Sequence, residues 1–246
     1  MLSVILITKN EADNIVDCLA SVAWADEIIV FDSGSEDETV SICREYTDKV
    51  YETDWPGFGI QKQRALNKAK GDWVLSIDAD EIVTAELRVE IVKAIQQEKF
   101  QGFEIPRLST YCGKQIRHAG WWPDHVLRLF RRECGYFTEA SVHERIIVHG
   151  QIGRLNYPFL HNAFIDFDEV LRKVNHYSTL GAEALYERGV QSSLKKAVIK
   201  ALWTFIRTYF IKLAFMDGHK GFMLSISNAE GCYYKYIKLL QLQSRE

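Results

Sequence analysis

The sequence predicts an α/β protein with a mostly parallel, Rossmann-like sheet flanked by helices and a helical extension at its carboxyl end. Short apolar runs alternate with segments of helical spacing over the first hundred residues. The links between these segments are short, which implies parallel strands joined by right-handed crossovers. From about residue 167 onward the pattern is helical throughout.

Four strands and four helices are predicted in the first hundred residues. The strands cover residues 3–7, 27–31, 49–51 and 73–77, and the helices cover 11–22, 35–46, 60–69 and 84–99. Ser35 and Glu38 have the spacing of a capping box at the start of the second helix. Gly71 ends the third helix, and Thr84 is the expected N-cap of the fourth.

The pattern changes between residues 102 and 148. Short β-like runs at 103–105, 126–130 and 145–148 alternate there with polar and aromatic loops, an arrangement that often shapes a substrate cleft. We therefore expect one domain over residues 1–165, with halves at 1–100 and 101–165. The helical extension should cover 166–246.

Composition limits the class of protein. The 246 residues are 47% hydrophobic and 26% charged, enough for a core that needs no disulfides. The five scattered cysteines suit reduced thiols in the cytosol. A net charge of -3 gives no reason to expect a nucleic acid partner. We predict neither a signal peptide nor a transmembrane span, because no apolar run approaches ~18 residues.

Polar residues follow three of the predicted strands. Ligands of parallel sheets bind beyond the carboxyl ends of the strands, so this clustering predicts a binding site. The residues are Thr8, Asn10 and Glu11 after the first strand, Asp32 and Ser33 after the second, and Asp78 and Asp80 after the fourth.

The segment Asp78-Ala79-Asp80-Glu81 predicts a metal site. Two carboxylates separated by one residue at a strand end can approach one divalent cation, and Mg²⁺ or Mn²⁺ prefers such oxygen ligands. A metal there would stabilise the charge that grows on a diphosphate leaving group. The alternative is that these acids only cap a helix or lie in a solvated turn.

Three segments resemble the family 2 glycosyltransferases, which have a GT-A fold. They read SVILITKNEADNI, EIIVFDSGSEDET and GDWVLSIDADE, and they occur in that order within residues 1–100. Three further segments, GWWPDHVLRLFRR, SVHERI and LHNAF, are similar to the lipopolysaccharide core β-glucosyltransferase group. The resemblance implies a metal-dependent, inverting transfer of a sugar, here glucose, from a UDP-sugar to the heptose region of a lipid-anchored glycan.

The resemblance also implies roles for the residues at the strand ends. Thr8, Asn10 and Glu11 match the loop that touches the nucleoside. Asp32, with Ser33 beside it, matches the acid that holds uracil or ribose; the alternative is a turn residue that opens its loop. Asp80 matches the direct metal ligand, and Asp78 matches the acid that reaches the ribose and the metal's waters.

Two basic residues are further candidates in this site. His161 matches a histidine that contacts the metal or the diphosphate, although a lone histidine is also commonly a packed core residue. Arg64, on the third helix, could bind the diphosphate because guanidinium suits phosphate geometry. Its alternative is a place on a solvated helix face.

The catalytic base is expected in the second half of the chain. Inverting transfer is a single displacement in which the acceptor hydroxyl loses its proton as it attacks, so a carboxylate must lie within reach. Glu144 has the position of the family's acidic motif and is favoured over Glu139 and Asp124, although His-Glu stands where many relatives have Glu-Asp. The alternative for Glu144 is a strand-edge ion pair with Arg145 or Arg128.

The acceptor site is predicted at Trp121, Trp122 and Asp124, because aromatic faces stack on sugar rings while polar groups select hydroxyls. A buried tryptophan pair that holds a loop is the alternative. Arg128 could meet acceptor phosphates or lie on the surface.

The stretch 194–216 carries five basic residues and no acid. An apolar face and a basic flank of Lys196, Lys200 and Arg207 predict an amphipathic helix on an anionic membrane. The protein would then be cytoplasmic and peripheral on the inner face of the inner membrane. The alternative is a helix that packs on the catalytic domain.

Three other functions compete with this interpretation. One is a glycosyltransferase of another surface polysaccharide. A nucleotidyltransferase should carry a Gly-rich basic first loop, whereas this loop reads TKNEADN. A binding protein without turnover would not need both aspartates and a base.

Overall fold

The chain divides into two units in the computed structural model, which describes residues 1–138 and 145–244. The first unit consists of Met1–Arg107 and Asp124–Asn162, and the second of Leu108–Pro123 and Ala163–Glu246. The second unit contains the α-helices from Phe167 onward and is called the helical unit below. Residues 108–123, expected in the first domain, instead belong to the helical unit.

The strands of the described residues share short, mostly buried apolar stretches. In chain order they are β1 (Leu2–Thr8), β2 (Glu27–Asp32), β3 (Val50–Glu52), β4 (Trp73–Asp78), β5 (Glu81–Val83), β6 (Gly102–Tyr111), β7 (Lys114–Gln115), β8 (Asp124–Arg131), β9 (Gly135–Phe137), β10 (Ile146–Val148), β11 (Ile152–Arg154) and β12 (Phe159–Phe164).

Up to β6, the α-helices of the described residues lie between successive strands, except that β5 follows β4 directly. After β12, the described elements are all helical. The α-helices are α1 (Ala12–Val22), α2 (Thr39–Tyr46), α3 (Phe58–Lys68), α4 (Ala85–Ala94), α5 (Phe167–Glu187), α6 (Leu194–Ile206) and α7 (Gly218–Gln243). The predicted strands and helices of the first hundred residues are therefore present, with ends shifted by a few residues.

Helix capping confirms one prediction and corrects another. The Thr84 hydroxyl accepts the Leu87 amide at 3.2 Å and caps α4 as expected. The capping box of Ser35 and Glu38 is wrong, because α2 begins only at Thr39. The Ser35 hydroxyl donates to Asp32 and accepts the Asn10 amide instead, so it serves the loop and not the helix.

The sheet brings the predicted strand ends together. Its order is β3-β2-β1-β4-β8-β6-β12-β5, and β3, β2, β1 and β4 are parallel. Thr8 pairs with Asp32, and Ile7 pairs with Asp78, so the carboxyl ends of β1, β2 and β4 are level. β8 then runs antiparallel to β4. This register sets the three loops of the candidate site side by side.

Both faces of the parallel strands are covered, as continuous burial along β1 and β2 requires. The apolar stripe of α1, with Ile15 and Leu19, packs in one core. The α3 residues Ala65 and Leu66 pack in the other, against strand residues such as Ile5. Helices thus pack on both faces of this layer.

The stretch 194–216 is not one continuous helix, which corrects the prediction. α6 ends at Ile206, and the π-helical segment Arg207–Ile211 follows it directly. Leu213 has a left-handed φ of 57°, which ends the run before a short 3-10 turn and α7. Among the described residues, no helix is long and apolar enough to span a membrane.

Candidate active site

The loops after β1 and β2 are joined by hydrogen bonds. The Asn10 amide donates to Ser35 Oγ at 2.8 Å, and Asn10 Oδ1 accepts the Glu36 amide at 2.8 Å. The Glu11 amide donates to the Thr39 hydroxyl at 2.8 Å. Asn10 adopts a φ of 53°, a left-handed conformation that Asn tolerates better than most residues. Asn10 and Glu11 therefore hold the two loops as one surface.

Asp32 is fully buried and engaged by its own loop. One carboxylate oxygen accepts the Gly34 and Ser35 amides at 2.8 Å, and the other accepts the Ser35 hydroxyl. This is the geometry of a turn residue that opens a loop, the alternative that the sequence left open. Next to it, the buried Ser33 hydroxyl accepts from the Gln61 side chain at 3.0 Å. Direct contact of Asp32 with a nucleoside stays a prediction.

Thr8 carries a buried hydroxyl that has no hydrogen-bond partner in the described part of the chain. Thr8 ends β1 directly opposite Asp32. Leaving a buried polar group unpaired typically costs ~1–3 kcal/mol, and such groups commonly mark sites where a ligand or water completes the bonding. The residue stands where the sequence predicted a nucleotide.

A buried ion cluster surrounds Asp78 at the end of β4. Arg128, only 7% exposed, donates to both carboxylate oxygens of Asp78 and also to Glu81 Oε1 at 3.1 Å. Lys62, on α3, lies 3.0 Å from Asp78 Oδ1. The alternative that Arg128 lies on the surface is thus wrong. Two cations and two carboxylates share this site.

Sequence reasoning missed Lys62, although a signal was present. Lys62 precedes Ala65 and Leu66 by three and four positions, so the helical period places it on the same face as these core residues. A lysine on an apolar face must meet a counter-charge, which here is Asp78. Glu81, the last residue of the acidic segment, accepts the Asp78 amide at 3.0 Å, whereas Arg107 was missed because only the sheet register brings it to this cluster.

Electrostatics set the protonation of the cluster. Burial alone would raise the pKa of Asp78, but the charges of Arg128 and Lys62 hold it well below its usual range. Burial and the neighbouring Asp78 raise the pKa of Glu81 against the opposing charge of Arg128. For Arg128, burial would lower the pKa, and Asp78 and Glu81 raise it above its usual value. Asp78 is therefore an anion at neutral pH.

The ion cluster continues to Asp124. Arg107 Nη1 lies 3.5 Å from Glu81 Oε1, and Arg107 donates Nε and Nη2 to Asp124 Oδ2 at 3.0 and 2.7 Å. The Asp124 side chain stays 42% exposed. Since Arg107 already neutralises one oxygen, the geometry favours a binding role for Asp124 over that of the base.

Asp80 and His161 form a second pair beside this cluster. His161 Nε2 lies 3.2 Å from Asp80 Oδ2, because β12 pairs with β5 and the Asn162 amide donates to the Asp80 carbonyl at 2.9 Å. Asp78 is bound by two cations instead. Within residues 1–138 and 145–244, no three His, Cys, Asp or Glu side chains form a metal cluster. Of the three predicted metal ligands, the described structure thus brings together Asp80 and His161, and not Asp78.

The remaining predicted residues lie in different surroundings. Arg64, in the middle of α3, donates to the exposed Asp54 at 2.7 Å, and its contact with a diphosphate stays a prediction. Glu144 and Glu139 lie outside the described residues. Neither the base nor its alternative Glu139 therefore has a described position.

The two tryptophans of the predicted acceptor site differ. In the helical unit, Trp121 stacks on Phe164 at 5.8 Å and meets Tyr111 edge-on at 6.1 Å. It belongs to that unit's apolar core. Trp122 carries the Arg117 guanidinium over its ring at 5.6 Å and is half-buried. Trp121 is thus the packing residue that the alternative allowed for, and Trp122 is the better candidate for contact with a ligand.

The parallel layer, its joined loops and the acidic segment after β4 define a glycosyltransferase of the GT-A fold. The family model for glycosyl transferase family 2 matches residues 3–148, and the chain belongs to that family.

Two relatives extend this likeness over almost the whole chain. The lipopolysaccharide core biosynthesis glycosyltransferase LpsC of Rhizobium meliloti is 30% identical over 254 residues, covering 98% of this chain and 92% of LpsC. An uncharacterized glycosyltransferase of Rickettsia typhi, RT0209, is 30% identical over 259 residues, covering 99% of this chain and 89% of that protein.

A solved structure shares the fold. The crystal structure of Staphylococcus aureus TarS 1-349 in complex with UDP has a TM-score of 0.50 and 16% sequence identity. The match covers 100% of this chain and 92% of that one.

Proposed function

We propose that the protein is a metal-dependent, inverting glycosyltransferase that moves glucose from UDP-glucose to a lipid-anchored glycan, the heptose region of a lipopolysaccharide core. The observation that carries the proposal is the carboxyl end of β4. The buried cations Lys62 and Arg128 bind the Asp78 carboxylate there. The Asp80–His161 pair and the Thr8 hydroxyl lie at the same edge of the sheet. A nucleoside diphosphate needs this combination of cations, polar groups and metal ligands.

The donor lies along the joined loops of β1 and β2 in this proposal. Thr8 binds the nucleoside with its unpartnered hydroxyl, and Asp32 holds the loop that faces it. Arg128 and Lys62 keep Asp78 ionised and oriented, so that it can accept from ribose hydroxyls. TarS, which shares the fold, was crystallised with UDP and with UDP-GlcNAc, which is consistent with a UDP-sugar as donor.

Asp80 and His161 fit a divalent cation. An oxygen and an imidazole nitrogen 3.2 Å apart suit Mn²⁺, which accepts nitrogen ligands more readily than Mg²⁺ does. The protein would give two ligands to the cation, and diphosphate oxygens and water would complete its coordination shell. When bound, the cation neutralises charge on the leaving diphosphate.

Glu144 removes the proton of the acceptor hydroxyl in this proposal. The support is its place in the segment SVHERI, together with the Arg107 ion pair that occupies the competing Asp124. General base catalysis by a carboxylate within hydrogen-bond reach matches a single displacement with inversion.

The helical unit supports a membrane-bound acceptor. On α6, apolar side chains are exposed in one helical stripe, with Leu202 at 59% and Ile206 at 44%. Lys195 and Lys200 are exposed on the same helix, which carries no acid. Apolar residues next to cations suit the interface of an anionic membrane. LpsC, the relative from Rhizobium, is named for lipopolysaccharide core biosynthesis. We place the protein on the cytoplasmic face of the inner membrane.

The test is release of UDP from UDP-glucose by the purified protein with truncated lipopolysaccharide acceptors, with the glycan product identified by mass spectrometry. We expect Mn²⁺ or Mg²⁺ to be required and Asp80→Asn to be inactive. Asp17→Asn, an exposed acid on α1, is the matched control and should keep full activity. Full turnover with excess chelator, or in Asp80→Asn, would contradict the metal role. Absence of UDP release with every acceptor would overturn the proposed transfer.

A further inference from the structure

The helical unit contains a pocket of about 490 Å³ between α5, α6 with its π-helical segment, and α7. Its volume lies within the ~300–1,000 Å³ typical of small-molecule sites, and pockets between helices are a common location for them. All of its lining residues belong to the helical unit. The pocket is therefore separate from the residues that form the donor site.

Cations dominate the lining of this pocket. Four basic side chains line it and no acidic one does: Lys173, Arg207, Lys212 and Lys235. Lys173 pairs with Glu169 at 2.8 Å, whereas Arg207, Lys212 and Lys235 have no ion pair with any described residue. Lys235 Nζ also lies over the Tyr236 ring at 5.5 Å. Cations that line one concave site with no acid in the lining create a positive potential that favours an anion. Arg and Lys are also the side chains that bind phosphate through charge-assisted hydrogen bonds.

The rest of the lining suits a sugar. Tyr177 and Trp203 present aromatic surface and are largely exposed. Ser178, Thr204 and Asn228 add hydroxyl and amide groups. An aromatic surface with a few convergent polar groups is the usual chemistry of carbohydrate recognition.

The π-helical segment shapes one wall of the pocket. Arg207 begins this segment, and Thr208 follows with a buried side chain. π-Helical turns are rare and occur frequently at functional sites, since they redirect side chains out of the regular α-helical path. Here the irregular turn contributes Arg207 and Thr208 to the pocket, after Trp203 and Thr204 of α6.

We propose that this pocket binds a phosphorylated sugar, the phosphate-bearing part of the glycan acceptor. Arg207, Lys212 and Lys235 bind the phosphate, and Trp203 and Tyr177 contact the sugar ring. Identifying this ligand with the acceptor rests on the proposed function. Binding of a phosphorylated sugar by the helical unit does not depend on that proposed function.

Calorimetric titration of the full chain with mannose 6-phosphate tests the proposal. We expect saturable one-to-one binding. The double variant Arg207→Gln, Lys235→Gln should bind at least about tenfold more weakly, since it removes two charged donors. The matched control Lys195→Gln, Lys200→Gln changes two exposed cations of α6 that do not line the pocket, and it should bind as the wild type does. All variants should bind UDP equally.

Further arms identify the source of the phosphate. Mannose should not bind, and inorganic phosphate should bind more weakly than mannose 6-phosphate. Equal binding of inorganic phosphate, or displacement of the sugar phosphate by vesicles of phosphatidic acid, would overturn the assignment to a sugar. Unchanged affinity in the Arg207, Lys235 variant would overturn the site itself. Failure of UDP release would contradict the proposed function but leave these titrations unaffected, so the two failures are distinguishable.

Discussion

Arg128 on β8 binds Asp78 on β4 through both ends of its guanidinium group, with Nη1 3.4 Å from Oδ1 and Nη2 against Oδ2. The same Nη2 donates to Glu81, a carboxylate with no exposed surface. One buried cation therefore binds two acids at the carboxyl end of the same strand, and this arrangement leads to the first two predictions.

Arg128→Met should destabilise the fold. Among the described residues, it leaves buried Glu81 with only the longer Arg107 ion pair at 3.5 Å, and breaking a buried ion pair by removing one partner typically costs ~3–5 kcal/mol. The free energy of unfolding, measured with urea at pH 7, checks this. The double variant Arg128→Met, Glu81→Gln should recover much of the loss while transfer activity stays low. Arg44→Met, which breaks an exposed pair with Glu52, is the control and should cost less than ~1 kcal/mol. A stable Arg128→Met protein would contradict the cluster's structural role.

Acid should destabilise the protein through Asp78. Its pKa in the folded state lies below the value of ~3.9 expected in the unfolded chain. The stabilising contribution is therefore complete above about pH 5 and is lost as the pH falls toward the folded-state pKa. Glu81 contributes with the opposite sign, because its pKa is raised. Unfolding free energies between about pH 3 and 7 should show a shallower acid slope for Asp78→Asn than for the wild type. Equal pH slopes of the unfolding free energy in the two proteins would show that Asp78 is not the source of the acid sensitivity.

Thr8→Val should separate ligand binding from stability. Valine keeps the shape of threonine and removes a buried hydroxyl without a partner, so thermal stability should hold or rise. UDP affinity, measured by calorimetry, should fall about tenfold if Thr8 donates to the nucleotide. Thr39→Val is the matched control: its hydroxyl bonds the Glu11 amide and Asp37, so its loss should lower stability. Unchanged UDP affinity in Thr8→Val would remove Thr8 from the donor site.

Glu144→Gln should lower turnover by ~10²–10⁴-fold, the usual contribution of a general base. Glutamine keeps the size and polarity of the side chain, so UDP-sugar binding should remain nearly unchanged. Steady-state kinetics on defined acceptors, with Glu139→Gln and Asp124→Asn measured in parallel, identify the base. If Glu144→Gln is active and either of the other variants is inactive, the base lies at that other residue.

Membrane docking should depend on the exposed stripe of α6. Leu202→Glu, Ile206→Glu places two acids in the proposed interface, and flotation with anionic liposomes should show loss of binding. Val89→Glu, Val92→Glu makes the same changes at exposed apolar positions of α4 and should bind normally.

The two exposed lysines of α6 give a separate test of docking. Lys195→Glu, Lys200→Glu should weaken partitioning at least about thirtyfold, because each cation near anionic lipid contributes ~1 kcal/mol. The effect should shrink as salt rises. Wild-type protein that fails to bind liposomes at low salt would contradict docking altogether.

The local pattern of the sequence determined the elements and the general location of the site. Periodicity alone predicted the alternation of strands and helices, because burial of one helical face and of whole parallel strands imposes a visible repeat. The strand-end residues could be placed at one edge because carboxyl ends of parallel strands coincide. Thr8, Asp32 and Asp78 do lie level there.

Only the tertiary structure decided how these side chains are partnered. Arg128 reaches Asp78 because β8 is antiparallel to β4, and His161 reaches Asp80 because β12 pairs with β5. Such pairings join residues dozens of positions apart, and no local repeat encodes them. The hydroxyl of Ser35 likewise accepts the amide of Asn10, 25 positions away, and does not cap α2. Periodicity predicts which residues are buried. The register between strands that are distant in sequence decides which partner each buried charged group has.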